Sequence, residues 1–299
     1  MHGPTAALNP DSSPSRARIA RIALGDLLHA GRRQLAATAF ASPREAALLL
    51  GGVLGLSEAQ VLARDDQEVG AAAAARFQAL LARRLGGEPV AYLLGEREFY
   101  GRPFAVDRRV LIPRPETEHV VEQALGLALP PAPRILDAGT GSGCLAVTLA
   151  LELPAARVVA SDLSPAALAV AAGNARRHGV AGRVALVASD LAAAVALAPF
   201  DLVVSNPPYI DPTEAGGLSA EVCNFEPHLA LFSPTTGDST LERLLSECAR
   251  LRPGAAVVVE IGCGQLDAAQ RHAAAAGLEL TAAHRDYAGR PRVVVLRRP

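Results

Sequence analysis

The most specific chemistry in the sequence is carried by the tetrapeptide Asn206-Pro207-Pro208-Tyr209. Two consecutive prolines remove two backbone donors and stiffen the turn, which leaves carbonyl groups free to meet a ligand. The Asn206 side-chain carbonyl and a proline carbonyl then form a pair of acceptors, and Tyr209 supplies a flat wall. Paired acceptors beside a flat wall suit a planar –NH2 group, either an amide or the exocyclic amine of a base. An amide nitrogen is a poor nucleophile because its lone pair is delocalised into the carbonyl. Gripping both of its N–H bonds aims the nitrogen at an electrophile and stabilises the positive charge that develops there. Methyl transfer from a sulfonium needs in-line approach at roughly 3 Å, so positioning supplies much of the acceleration. Neither a nucleophilic Ser nor a nucleophilic Cys is required, and the final base can be water.

A second constellation lies upstream. Asp137-Ala138-Gly139-Thr140-Gly141-Ser142-Gly143 follows a short apolar stretch and opens a helix near Cys144. Glycines there let ligand atoms approach backbone N–H groups at the positive end of a helix. Asp162 closes the next strand-like stretch, about 20 residues after the first glycine, where a carboxylate accepts hydrogen bonds from ribose hydroxyls. The competing reading of Asp162 is a helix N-cap ahead of Ser164-Pro165. Gly141-x-Gly143-x-x-Ala146 also fits a dinucleotide fingerprint, so these features indicate an adenosine-type cofactor without choosing between NAD and S-adenosylmethionine. The tetrapeptide chooses, because a nicotinamide enzyme has no use for the acceptor pair. S-adenosyl-L-methionine is the expected cofactor, and no metal is expected.

The elements that must position these residues alternate strand, loop and helix after Pro133. Strands are expected at 134–137, 157–161, 184–187, 200–204, 255–261, 278–283 and 293–296, with helices between most of them. That pattern predicts a doubly wound, mostly parallel α/β sheet, Rossmann-like, with Asn206 at the carboxyl end of the fourth strand. No helix separates the last two strands, so one of them is expected to be antiparallel. Upstream, Ile19 to about Gly87 is rich in Ala, Leu, Arg and Glu with no strand-like stretch, which predicts a small helical bundle. Ser42-Pro43-Arg44-Glu45 reads as a capping box, Ser57 as a second cap, and Ala71 to Leu85 as a helix ending in Arg83-Arg84, its arginines on a solvated face. Between these regions, 98–106 and 110–112 alternate like a hairpin turning at Asp107-Arg108-Arg109, and Pro113-Arg114-Pro115 launches a helix at Glu116. The expected organisation is a flexible tail over 1–18, a helical substrate-recognition domain over 19–88, a hairpin linker over 89–115 and a methyltransferase domain over 116–299.

Composition excludes several alternatives. The 299 residues are 50% hydrophobic and 20% charged with a formal net charge of −1, which is unlike a disordered chain. The sequence contains no lysine, so all 29 basic residues are arginine, and Schiff-base chemistry and a P-loop lysine are absent. The balanced charge argues against affinity built on neutralising many phosphates, and no sequence-specific nucleic-acid binding is expected. Cys144, Cys223, Cys248 and Cys263 show no C-x-x-C pairing and read as free, buried thiols of a reducing compartment. There is no apolar run of membrane-spanning length, and the first 18 residues lack the apolar core of a secretory signal. A soluble, cytoplasmic monomer is expected.

The sequence resembles the PrmC/HemK family, the glutamine methyltransferases of peptide-chain release factors. The resemblance runs from about Leu24 to Arg298. It is most specific in 92–118 (YLLGEREFYGRPFAVDRRVLIPRPETE), in 137–143, in 200–210 (FDLVVSNPPYI), in Phe225-Glu226-Pro227 with Ala230-Leu231-Phe232, in Glu260-Ile261-Gly262 with Gln265, and in 285–290. The resemblance implies methylation of the glutamine amide in the Gly-Gly-Gln motif of a release factor, which would be the protein partner. It assigns Asp137, Gly139, Thr140, Gly141, Ser142, Gly143, Asp162 and Leu163 to the cofactor, Asp190 and Leu191 to the adenine, and Asn206 to the meeting point of cofactor and substrate. Asn206, Pro207, Pro208 and Tyr209 would hold the glutamine, with Phe99 and Arg114-Pro115 lining the pocket. Where the family carries a glycine-rich loop, this chain reads Ser233-Pro234-Thr235-Thr236-Gly237-Asp238-Ser239-Thr240, expected to lie outside the chemistry. Three rivals remain at this stage: a glutamine methyltransferase of a large-subunit ribosomal protein, an adenine amino-methyltransferase, and a non-catalytic S-adenosylmethionine-binding adaptor for translation factors.

Overall fold

The computed structural model describes residues 21–286 and 288–299. The tail expected over 1–18 lies outside the described residues. The chain divides into two compact units, Met1–Gly86 and Gly87–Pro299. Among the described residues no helix is long and apolar enough to cross a membrane.

In the first unit a two-residue strand, β1 (Ile22–Ala23), leads into α1 (Leu24–Ala36), α2 (Glu45–Leu54), α3 (Glu58–Leu62), strand β2 (Glu68–Val69) and α4 (Ala71–Leu85). The helices form because apolar residues recur at helical spacing. Leu24, Leu27, Leu28 and Leu35 of α1 and Ala74, Phe77 and Leu81 of α4 are all buried. Ser57 caps α3 in a complete capping box with Gln60.

Three details depart from the sequence reading. β1 and β2 pair antiparallel in a stretch where no strand was expected, and two residues are too few to show a period. The box at Ser42 does not form: α2 begins at Glu45 with Arg44 uncapped, and Ser42 Oγ accepts only from Arg44 N, at 3.3 Å. Glu45 is engaged elsewhere, since its carboxylate receives Arg84 Nε at 2.6 Å. Arg84 therefore leaves the solvated face; it is 1% exposed, with its guanidinium 5.3 Å from the centre of the Phe40 ring.

The second unit opens with α5 (Val90–Leu94) and the hairpin β3 (Glu96–Phe99) and β4 (Arg102–Ala105). Phe99 pairs with Arg102, so the turn is Tyr100-Gly101 and not Asp107-Arg108-Arg109. Both turn residues have positive φ, 51° and 69°, which gives the twist that a two-residue hairpin loop requires and favours glycine at the second position. Asp107 instead closes a local turn by accepting from Arg109 N at 3.0 Å. The stretch 110–112 then runs outside any ladder, and Ile112 N donates to the buried Glu226 carboxylate.

After a 3-10 turn (Pro115–Thr117) follow α6 (Glu118–Leu125), β5 (Arg134–Ala138), α7 (Cys144–Glu152), β6 (Arg157–Asp162), α8 (Pro165–Arg177), β7 (Val184–Ala188) and β8 (Leu202–Ser205). The chain continues through α9 (Ala220–Phe225), α10 (His228–Leu231), α11 (Ser239–Cys248), β9 (Ala256–Glu260), α12 (Leu266–Ala275), β10 (Glu279–Arg285) and β11 (Pro291–Arg297). The seven-stranded sheet has the order β10-β11-β9-β8-β5-β6-β7. β11 runs antiparallel to both neighbours and the other pairs are parallel, as the missing last helix predicted. Alternate residues face two cores: Ile135, Leu202, Val204 and Val258 pack with α6 and α7, whereas Leu136, Val203, Val257 and Val259 pack with α11 and α12. Burial on both faces explains why these strands read as unbroken apolar runs.

The order fixes where a ligand can enter. β6 and β7 extend the sheet to one side of β5, and the chain then crosses to lay β8 on the other. The crevice at the carboxyl ends of β5 and β8 is the topological switch point, the usual ligand site of such sheets. All four cysteines are free. Cys144 and Cys248 are buried as expected, but Cys223 is half-buried and Cys263 exposed.

Candidate active site

Both sequence constellations meet at the switch point. The loop 139–143 leaves β5 and enters α7, and Asn206 directly follows β8. Ser205 Oγ donates to Ala138 O at 2.6 Å, which ties the ends of these two strands together. A first cavity of about 270 Å³ is lined by Gly139, Thr140, Gly141, Ser142, Asp162, Leu163, Asp190, Leu191 and Asn206, together with Arg114 and Pro208. This lies near the lower end of the roughly 300–1,000 Å³ usual for small-molecule sites. A Cβ built on Gly139 or Gly141 would meet no protein atom within 4 Å, so the loop leaves a cradle for ligand atoms. Gly143 is the N-cap of α7 and lies outside the lining.

Asp162 has two functions in this loop. Its Oδ2 accepts from Gly141 N and its Oδ1 from Ser164 N, both at 2.8 Å, while Ser164 itself caps α8. Each carboxylate oxygen retains a second lone pair for a ligand. Leu191 has φ of 50°, unusual for a side chain of that size and costing roughly 1–2 kcal/mol. Its carbonyl is held by Ser161 Oγ at 2.8 Å, and Asp190 is paired with Arg243 at 2.5 Å.

Asp137 lies beneath the loop, fully buried. Its Oδ2 accepts from Thr140 Oγ1 at 2.6 Å and Ala146 N at 3.1 Å, while Oδ1 has no partner among the described residues. Burial is the main force pushing this carboxyl up to about 7. Between its ordinary value near 4 and about 7 the folded state holds a proton that the unfolded state has released, so this group's contribution to stability falls as pH rises through that window. Asp137→Asn is therefore expected to flatten the dependence of melting temperature on pH between 4 and 7, read by calorimetry across that range; an unchanged slope would remove Asp137 as its source.

A second cavity of about 840 Å³ is lined by Pro207, Tyr209, Gln265 and Arg292, and it shares Asn206 and Arg114 with the first. Asn206 Nδ2 donates to Thr117 Oγ1 at 2.9 Å, and its Oδ1 accepts no hydrogen bond from a described residue. Tyr209 O accepts from Gln265 Nε2 at 3.0 Å. Ile210 forms a parallel bridge with Phe232, which fastens the loop downstream. Burial, followed by the nearby Glu260 charge, pushes the Tyr209 hydroxyl up to about 12, so the flat wall stays neutral. Arg114 is aimed by the buried Glu226 carboxylate at 2.6 Å.

The chain matches the model of the PrmC N-terminal domain over residues 7–95 and that of the methyltransferase small domain over 122–220. It is 43% identical over 280 residues to the release factor glutamine methyltransferase of Nitratidesulfovibrio vulgaris, covering 92% of this chain and 95% of that one. The chain belongs to the release factor glutamine methyltransferase family. The family's protein from Cereibacter sphaeroides is 44% identical over 277 residues, 92% of this chain and 98% of that one. A methyltransferase from Pyrococcus furiosus has a similar fold, with a TM-score of 0.51 at 16% identity over 73% of this chain and 96% of that one.

Two residues expected in a family pocket are elsewhere, and Pro115, beside the lining Arg114, is one of them. Phe99 is 1% exposed, lines neither cavity and packs edge-on to Phe104 in the core beside α6 and α7. Phe99 is the one buried residue of β3. The loop 233–240, expected outside the chemistry, forms part of both walls: Pro234 and Thr240 line the first cavity, and Thr236, Gly237 and Asp238 the second. Sequence reasoning assigned no role to Thr117 or Gln265, although both stand in segments that carry the resemblance. Their tasks depend on partners 143 and 56 residues away, a separation that no local pattern records.

Proposed function

We propose that this chain transfers a methyl group from S-adenosyl-L-methionine to the side-chain amide nitrogen of the glutamine in the Gly-Gly-Gln motif of a peptide chain release factor. The observation that carries the reading is the meeting of two cavities at Asn206, whose Oδ1 accepts nothing from the described residues. The first cavity has a glycine cradle and a carboxylate that fit an adenosine-type cofactor, which when bound supplies an electrophilic methyl carbon on sulfur. In the second, Asn206 Oδ1 and the Pro207 carbonyl take the two N–H bonds of the substrate amide, and Tyr209 covers its plane. That grip aims the nitrogen across the shared wall and stabilises its developing positive charge. As the N–C bond forms the sulfonium S–C bond breaks, leaving neutral S-adenosylhomocysteine, and the product amide bears the methyl in place of one proton, which leaves to water.

The residues lining both cavities all belong to Gly87–Pro299. The helical unit, matching the PrmC N-terminal domain, is assigned the task of gripping the release factor. The reaction belongs to the cytoplasm, where release factors meet the ribosome.

The test offers labelled S-adenosylmethionine with purified release factor, large-subunit ribosomal protein and unmethylated DNA in parallel, followed by peptide mapping. Label on the Gly-Gly-Gln glutamine is expected. Label only on the ribosomal protein or on DNA overturns the substrate, and cofactor binding without any transfer brings the adaptor reading forward. Asp162→Ala is expected to weaken S-adenosylhomocysteine binding about 10–100-fold, because it removes a charged acceptor and frees Gly141 N. Calorimetry reads this directly, and an unchanged affinity would take Asp162 out of the cofactor site.

A further inference from the structure

Asn206 has to present an acceptor, and nothing in an asparagine side chain by itself decides which end of its amide faces the ligand. A chain of hydrogen bonds behind it does decide. Asn206 Nδ2 donates to Thr117 Oγ1 at 2.9 Å, and Thr117 Oγ1 donates to Glu260 Oε2 at 2.6 Å. Thr117 and Glu260 are buried, on the 3-10 turn before α6 and on the last residue of β9. A hydroxyl has one proton, and a carboxylate only accepts. With that proton committed to Glu260, Thr117 can meet Asn206 only as an acceptor, so the –NH2 end turns inward and Oδ1 is left for the cavity.

We propose that Glu260 and Thr117 are positioning residues that set the polarity of the Asn206 amide, holding Oδ1 toward the acceptor nitrogen of the substrate. This deepens the methyltransferase reading and rests on it for its kinetic consequence, though not for its structural one. Glu260 is the source of the polarity. Protonated, it could donate to Thr117, which could then donate to Asn206 Oδ1 and present –NH2 to a substrate that is itself an –NH2 donor. The charged and titratable groups around Glu260 are Glu116 on the same 3-10 turn, Arg114 before it, Arg292 on β11, and Tyr209 and Cys144 beside the cavities. Burial is the largest influence on Glu260 and pushes it up to about 7, so the reversal falls within reach of ordinary assay conditions.

The experiment compares Thr117→Val, Thr117→Ser and Glu260→Gln in the full chain. Selective 15N-asparagine labelling gives side-chain signals from Asn9, Asn174, Asn206 and Asn224 only. The Asn206 –NH2 protons are expected to shift and exchange faster in Thr117→Val and to return toward wild type in Thr117→Ser. In the same variants, Thr117→Val is expected to lower kcat about 10–100-fold with S-adenosylhomocysteine affinity within about twofold, and Thr117→Ser to restore kcat. Wild-type kcat should decline as pH falls below about 7, and Glu260→Gln should lose that limb.

Unmoved Asn206 signals in Thr117→Val overturn the relay, as does a kcat loss that serine fails to restore. Moved signals with unchanged kcat overturn the positioning role. Moved signals in a protein that methylates no release factor leave the relay standing and remove the substrate reading instead.

Discussion

Asn206→Ala is expected to lower methyl transfer to release factor about 10²–10³-fold, the loss typical when one positioned polar partner of a developing charge is deleted. The residue stands where the two cavities meet, and its Oδ1 is the polar atom of its side chain not committed to a described residue. Alanine leaves the Pro207 carbonyl as a single acceptor, so the substrate amide can rotate and its nitrogen loses aim. The glycine loop and Asp162 belong to other elements, β5 through β6, so S-adenosylhomocysteine affinity should fall far less than turnover. Steady-state kinetics with labelled cofactor, paired with calorimetry, separate these two quantities. A variant that kept a tenth or more of wild-type turnover would show that the amide grip is not where the acceleration arises. One that lost all transfer yet preserved every biological effect would restore the adaptor reading.

The second large effect is on stability. Glu45→Ala is expected to destabilise the helical unit by about 3 kcal/mol, the range found when one member of a buried ion pair is removed. Arg84 is 1% exposed and its guanidinium meets the Glu45 carboxylate at 2.6 Å, so the substitution takes a charged partner away from a buried cation. The contact joins the start of α2 to the end of α4, which closes the bundle. Urea unfolding followed by circular dichroism should show a lower midpoint for Glu45→Ala, with Glu45→Gln intermediate because it keeps a hydrogen bond. Equal midpoints for wild type and alanine would mean that the pair is offset by its own desolvation.

Much of the fold was legible because its signals are local. Apolar runs at 134–137, 157–161 and 184–187 and the helices between them require a parallel sheet buried on both faces, and the absence of a last helix required one reversed strand. Asn206-Pro207-Pro208-Tyr209, the glycine loop and Asp162 were legible for a similar reason. Each is a short peptide whose residue types already limit what it can bind, and their places at strand ends bring them to one crevice.

What the sequence could not decide depends on choices between partners far apart in the chain. Ser42 and Glu45 satisfy the spacing of a capping box, yet Arg84 offers the carboxylate a charged partner and takes it. Tyr100-Gly101 and Asp107-Arg108-Arg109 are both plausible turns, and the positive φ at both residues of the first gave it the hairpin. Phe99 reads as a pocket aromatic, yet it packs against Phe104 in the core. The sequence determined the fold and which peptides reach the switch-point crevice, because local residue types and strand ends carry that information. Only the tertiary structure decided how Asn206 is oriented, because Thr117 and Glu260 reach it from distant elements and their order of donation exists only once the chain has closed.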